Sequence, residues 1–187
     1  MDRAQFPSIR SIFACKAQPA AGIVRRAAKN SIAPDRFADL FLPEDVLLDV
    51  VVAGKGEFFE EIALHLESVH EMPRAEVERA LVHRERIEST ALGEGVAIPH
   101  ARIKSLDRIR TVYVRLKFAI PFDAPDGNPV TDVLVLLVPA QAAQEHLEVL
   151  AVAAQMFADR HFRAQLRLCS NPLEVTRLIG AWAGPVS

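Results

Sequence analysis

His100 closes the run Gly93-Glu94-Gly95-Val96-Ala97-Ile98-Pro99-His100, and its neighbours prepare it for chemistry better than those of any other histidine in the chain. A neutral imidazole carries a proton on one ring nitrogen and a lone pair on the other. It becomes a nucleophile toward phosphorus when its tautomer is fixed and the lone pair is open to attack. A rigid proline directly before the ring, and a strand end beneath it, supply such positioning. An incoming phosphoryl group also needs donors for its equatorial oxygens: backbone N–H groups of a glycine-containing loop, a guanidinium and a second imidazole. Gly93 and Gly95, with the hydroxyls of Ser89 and Thr90, are the loop candidates. Arg84 offers the guanidinium, whose planar fork matches phosphoryl oxygens. His146 offers the second ring, close to the predicted start of a helix whose N–H groups and dipole favour an anion.

Spacing alone leaves each of these residues a plainer role: His100 as a turn histidine, Arg84 as the complement of its helix C-terminus, His146 as a solvated ring. Other chemistries find less support. The six histidines form neither HxxxH nor HExxH, so no metal is expected. The glycines around Lys55 and Glu94 lack the GxxxxGK[ST] spacing of a nucleotide loop, and no cofactor is implied. Cys15 and Cys169 make no CxxC pair and no disulfide framework, which suits a reducing cytoplasm. Basic and acidic side chains number 22 and 24, so no overall field draws the chain to nucleic acid or an anionic membrane. No apolar run approaches the ~20 residues of a membrane span; Val133–Val138 stops at Pro139.

The elements that must position these residues follow from hydrophobic period. Val46–Val52 is dense and β-branched, then Gly54-Lys55-Gly56 punctuates. Phe58, Phe59, Ile62, Ala63, Leu66 and Val69 recur at three and four residues, predicting an amphipathic helix that ends near His70. Pro73 suits the opening of the next helix, whose buried stripe runs through Val77, Ala80 and Leu81. The same spacing then reaches Arg84, a cation where an apolar side chain is called for. Ser89–Pro99 reads as a loop leading into a very short strand. Thr111–Phe118 alternates, with Val112, Val114, Leu116 and Phe118 on one face and Tyr113, Arg115 and Lys117 on the other. Val133–Val138 is apolar without alternation, as in a central strand covered on both faces. Leu147, Leu150, Ala151, Ala154 and Phe157 share a helical face, and shorter helices follow over Phe162–Leu168 and Pro172–Ile179. Strands and helices are interspersed, so the expected class is α/β: a single domain with a mixed β-sheet flanked by helices on both faces.

The 187 residues, half of them apolar, suffice for one substantial core. Residues 1–36 are expected to be a basic leader outside that core, because Asp2 is the sole acid before Asp35 while Arg3, Arg10, Lys16, Arg25, Arg26 and Lys29 are basic. The acceptor domain is expected over residues 37–182, with 183–187 as a tail.

The stretch from Arg84 to His100, RERIESTALGEGVAIPH, resembles the signature of phosphotransferase-system enzyme IIA proteins of the fructose and mannitol type, most closely the nitrogen-regulatory branch. The likeness continues through Pro121–Gly127, Leu136–Pro139 and Glu145-His146-Leu147. It implies that His100 accepts the phosphoryl group from an HPr-like phosphocarrier protein and that Arg84 and His146 line the pocket. It also implies a cytoplasmic protein acting on regulated partner proteins; the alternative is a fructose- or mannitol-type uptake component passing phosphate to a separate IIB. The family has Gly where this chain has Glu88, Ala91 and Ala101. Glu88 is therefore expected to point to solvent, and Ile98, Ile103 and Leu106 are candidates for an apolar docking rim as well as for the core.

Overall fold

The computed structural model describes residues 37–141 and 144–182, and for residues 144–146 the backbone alone. The leader over 1–36 and the tail over 183–187 lie outside the described residues.

A 3-10 turn, Pro43–Asp45, leads into strand β1, Val46–Val50. Helix α1, Lys55–His70, buries Phe58, Phe59, Ile62, Ala63 and Leu66, the stripe predicted from the sequence. It ends where Glu71 turns left-handed at φ 55° and donates its N–H to Glu67 O. Pro73 sits at the N-cap of helix α2, Arg74–Ile87, where its missing N–H costs nothing. Strands β2 (Ala91–Gly93), β3 (Val96–Ala97), β4 (His100–Ile103) and β5 (Arg110–Ile120) follow. Strand β6 (Val130–Pro139) precedes helices α3 (Gln144–Ala158), α4 (Arg160–Leu168) and α5 (Pro172–Ala181). Asp159 and Asn171 cap the last two helices with side-chain oxygens that accept first-turn N–H groups.

The described strands form one mixed sheet in the order β1-β5-β6-β3-β2, with β4 also on β6. β6 is antiparallel to β5 and parallel to both β3 and β4. One core layer packs the apolar faces of α1 and α2 on Val112, Val114, Val133 and Val135; the other packs α3–α5 on Tyr113, Leu134, Leu136 and Val138. Buried continuously, β6 is the central strand expected. β5 is not half-buried as its alternation suggested: Val112 and Tyr113 are both sealed, each facing one layer, whereas Phe118 is 62% exposed, in the stretch between Arg115 and Ile120 where the register against β6 shifts. Tyr113 reaches the core as a polar residue because its hydroxyl donates to buried Asp132 at 2.7 Å. Leu147, expected on the buried face of α3, is 40% exposed.

Two local features shape the sheet's ends. Asp49 in β1 takes φ 58° beside a register shift against β5, and Arg115 reaches back to its carboxylate. The sequence reading of 89–99 as a loop leading into a very short strand holds for β3 but missed β2, which makes a tight antiparallel hairpin with it. Gly93 turns at φ 97°, and a Cβ there would come within 3.1 Å of Asp126 Oδ2. Glu94 N donates to that same oxygen.

Candidate functional site

β3 and β4 run along the same side of β6 with Ile98-Pro99 between them. Leu136 N donates to Pro99 O at 2.8 Å and Ile98 N to Thr90 O at 3.0 Å, so the break before His100 is tied on both sides. Ala101 and Ile103 join the layer under α1 and α2, which by strand alternation turns His100 to the opposite face. Among the described strands β4 pairs with β6 alone, and α2 packs against β4.

From that helix end Arg84 delivers its guanidinium to the ring. Its Nε–H donates to His100 Nε2 at 3.1 Å, and Nη1 donates to Glu88 O at 2.8 Å. On the other side of the ring, His100 Nδ1 lies 2.9 Å from Ile98 O, a carbonyl that can only accept. The two contacts fix one tautomer: Nδ1 carries the proton and Nε2 the lone pair. The nitrogen with the lone pair thus lies against a guanidinium whose planar fork is suited to phosphoryl oxygens. Burial lowers the pKa of Arg84 from its ordinary 12.5, while the charges of Glu85 and Glu88 oppose that shift. The guanidinium stays charged.

The expectation of an open lone pair meets a correction here. His100 is 1% and Arg84 3% exposed, so the lone pair is covered by the guanidinium itself, and nucleophilic attack requires the pair to part. His146 falls in the first turn of α3, as expected, but its side chain lies outside the described residues. Gly93 and Gly95 are not brought to the ring. Val96 pairs with Asp132 and His100 with Leu136, four positions along β6, a separation of about 13 Å at roughly 3.3 Å per residue. The glycine turn instead serves the β2–β3 hairpin, with Gly95 O accepting from Thr131 N and Asp132 N. The Ser89 hydroxyl donates to Phe122 O at 2.7 Å and that of Thr90 to Glu85 Oε2 at 2.6 Å, so both brace the chain rather than face the ring.

The departures from the family's glycines resolve simply. Ala91 and Ala101 lie in strands and neither has positive φ. Glu88, expected in solvent, is half-buried with its charge acting on Arg84. Ile98 and Ile103 belong to the core, and Leu106 is partly buried against it, so the first two form no docking rim.

Sequence reading missed Glu85 and Lys55. Val77, Leu81 and Glu85 are spaced by four, so Glu85 continues the buried stripe beside Arg84; that was the signal available. Its Oε2 accepts both the N–H (3.1 Å) and the hydroxyl of Thr90, and its Oε1 takes Lys55 Nζ at 3.2 Å. Lys55 Nζ also meets Asp123 Oδ2 at 2.6 Å and stands 5.1 Å over the Phe122 ring. An open cavity of about 450 Å³ lies beside this group, lined by Lys55, Phe59, Arg86, Glu88 and Asp123 among others. Among the described residues no three His, Cys, Asp or Glu side chains are placed to hold a metal ion, and no helix is long and apolar enough to cross a membrane.

Comparison with known proteins bears on this arrangement. Residues 39–181 match the family model described as phosphoenolpyruvate-dependent sugar phosphotransferase system, EIIA 2. A relative named nitrogen regulatory protein, from Bradyrhizobium diazoefficiens, is 35% identical over 131 residues, covering 70% of this chain and 86% of the relative. The crystal structure of nitrogen regulatory protein IIA-Ntr from Neisseria meningitidis superposes with a TM-score of 0.72 at 37% identity, covering 76% of this chain and 97% of that one. IIA mannitol from Escherichia coli shares the fold with a TM-score of 0.62 at 21% identity, over 73% and 96% of the two chains.

Proposed function

Because the chain belongs to the EIIA 2 family of the phosphoenolpyruvate-dependent sugar phosphotransferase system, we propose that His100 is its phosphoryl acceptor, loaded by an HPr-like phosphocarrier protein and read by partner proteins. The observation that carries this is the ring itself, with Nδ1–H on Ile98 O and Nε2 against the Arg84 guanidinium. In the transfer, the Nε2 lone pair forms a bond to phosphorus as the donor's P–N bond breaks and its electron pair returns to the donor imidazole. The proton on Nδ1 stays where it is, and Ile98 O steadies the positive charge that the phosphorylated ring acquires. Arg84 gives up Nε2 and turns its N–H donors to the equatorial oxygens, so the cation that screens the resting ring stabilises the transferring group. His146, in the first turn of α3, is assigned the second donor. No step calls for a metal.

Relatives named nitrogen regulatory protein favour a regulatory phosphocarrier over a sugar-uptake component. Phosphorylation places a group of about two negative charges on a ring that itself turns positive, and that local change of charge is enough to alter the docking of a partner. Such a protein acts in the cytoplasm.

The test is phosphorylation of wild-type and His100→Ala protein by an HPr-type donor regenerated from phosphoenolpyruvate, read by intact mass. Gain of one phosphoryl group by the wild type alone is expected; label on both proteins, or on neither, refutes the assignment. Rapid passage of the group from the loaded protein to a IIB cysteine would instead favour the uptake reading.

A further inference from the structure

Taking His100 as the acceptor, we propose that Glu85 is a positioning residue for the transfer, holding the ring's tautomer and its guanidinium partner through the turn Glu88–Thr90. Both contacts of the ring lead back to that turn. Arg84 is anchored by donating to Glu88 O, and Ile98, whose carbonyl accepts from Nδ1, is anchored by donating its own N–H to Thr90 O. Thr90 is fully buried, and its N–H and hydroxyl both donate to Glu85 Oε2. Ser89 fixes the middle of the turn through Phe122 O and Ala91 N.

Glu85 stands where helix physics disfavours it. It lies in the last turn of α2, at the negative end of the helix dipole, and only 9% of it is exposed. A carboxylate there is tolerated when its charge and lone pairs are engaged, and three donors engage it: two from Thr90 and one from Lys55. Burial works against the Lys55 ammonium, but its bonds to Asp123 and Glu85 outweigh that and hold its pKa above the ordinary 10.5. An unbroken series of contacts therefore runs from Asp123 at the surface through Lys55, Glu85, Thr90 and Ile98 to His100 Nδ1.

The experiment records the ring nitrogens of His100 by NMR in the unphosphorylated protein, and its phosphorylation rate with phosphoramidate as a small-molecule donor. Wild type is expected to show one neutral tautomer with the proton on Nδ1. In Glu85→Leu the two nitrogen resonances should move toward each other, as in a mixture of tautomers, and phosphorylation should slow by about 10-fold or more, as when an outer partner of a functional histidine is removed. Glu85→Gln, which restores an acceptor for Thr90 without the charge, should fall between. Thr90→Val, which keeps the fold's shape and removes one donor to Glu85, carries the test if Glu85→Leu fails to fold. A single tautomer retained in whichever of these variants is folded overturns the proposal. Failure of the wild-type ring to be phosphorylated overturns the assignment of His100 instead, and leaves the tautomer measurement to decide on Glu85.

Discussion

Replacing Arg84 by Met separates what the guanidinium does for the fold from what it does for the reaction. Met fills most of the same volume in a site 3% exposed but donates no hydrogen bond. His100 Nε2 and Glu88 O each lose one donor, at about 1–3 kcal/mol for a buried acceptor. Against this, the protein no longer buries a cation, whose effective desolvation penalty is several kcal/mol and whose pKa burial lowers. The two terms oppose each other, so the expected change in folding stability is within about 2 kcal/mol of zero. The transferring group has no such compensation. Losing a preorganised donor of this type costs about 10²–10³ in rate, or roughly 2.7–4 kcal/mol of barrier. Urea denaturation should thus give near wild-type stability while rapid-quench transfer from an HPr-type donor falls at least a hundredfold, at about 1.36 kcal/mol per tenfold. Transfer within threefold of wild type by a folded Arg84→Met protein would refute the placement of the guanidinium on the phosphoryl oxygens.

Further outcomes follow from the geometry. Tyr113→Phe should cost about 1–3 kcal/mol in urea denaturation, because buried Asp132 loses the phenol that donates to it; burial holds that phenol protonated, well above its ordinary 10.0. The Glu76 carboxylate is held below its ordinary 4.5 first by the Ser105 hydroxyl, with Lys104 N–H also donating, so its contribution to stability is complete above about pH 4.5 and fades as pH falls through the folded-state value. Glu76→Gln should therefore be less stable than wild type at pH 7, and the gap should close in acid; a gap that widens in acid contradicts the linkage. His146→Ala should slow transfer by about 10²-fold without lowering the melting temperature if its imidazole is a second donor to the phosphoryl group.

What could be read from the sequence was set by local periodicity. Val77 and Leu81 place Arg84 inside because helix spacing is rigid, and Pro73 marks the start of α2 because a proline is tolerated at a helix entrance and not in its interior. The apolar density of Val133–Val138 marks a strand with both faces covered. What was not legible depends on register between distant strands. Val96, next to the glycine turn, and His100 are close in sequence, yet their β6 partners lie about 13 Å apart, so the glycine turn and the ring serve different positions along the sheet. Tyr113 reads as a surface residue until β6 supplies Asp132 as its partner. The four-residue spacing from Leu81 puts Glu85 on the buried stripe, but its partners Thr90 and Lys55 come together around it only in the fold. In each case a polar side chain is inside because of a partner that only the folded sheet provides.

The kink that Asp49 puts into β1 acts beyond its own strand. β1 is the outermost of the described strands at one margin of the sheet and five residues long, and its left-handed step breaks the even row of backbone donors and acceptors that an incoming strand would need. A flat, unbroken border invites other chains to add on; a twisted and charged one, with Arg115 drawn onto the Asp49 carboxylate, turns them away. At the opposite margin, among the described residues, β2 offers just three residues and β4 four, short lengths that limit strand addition there.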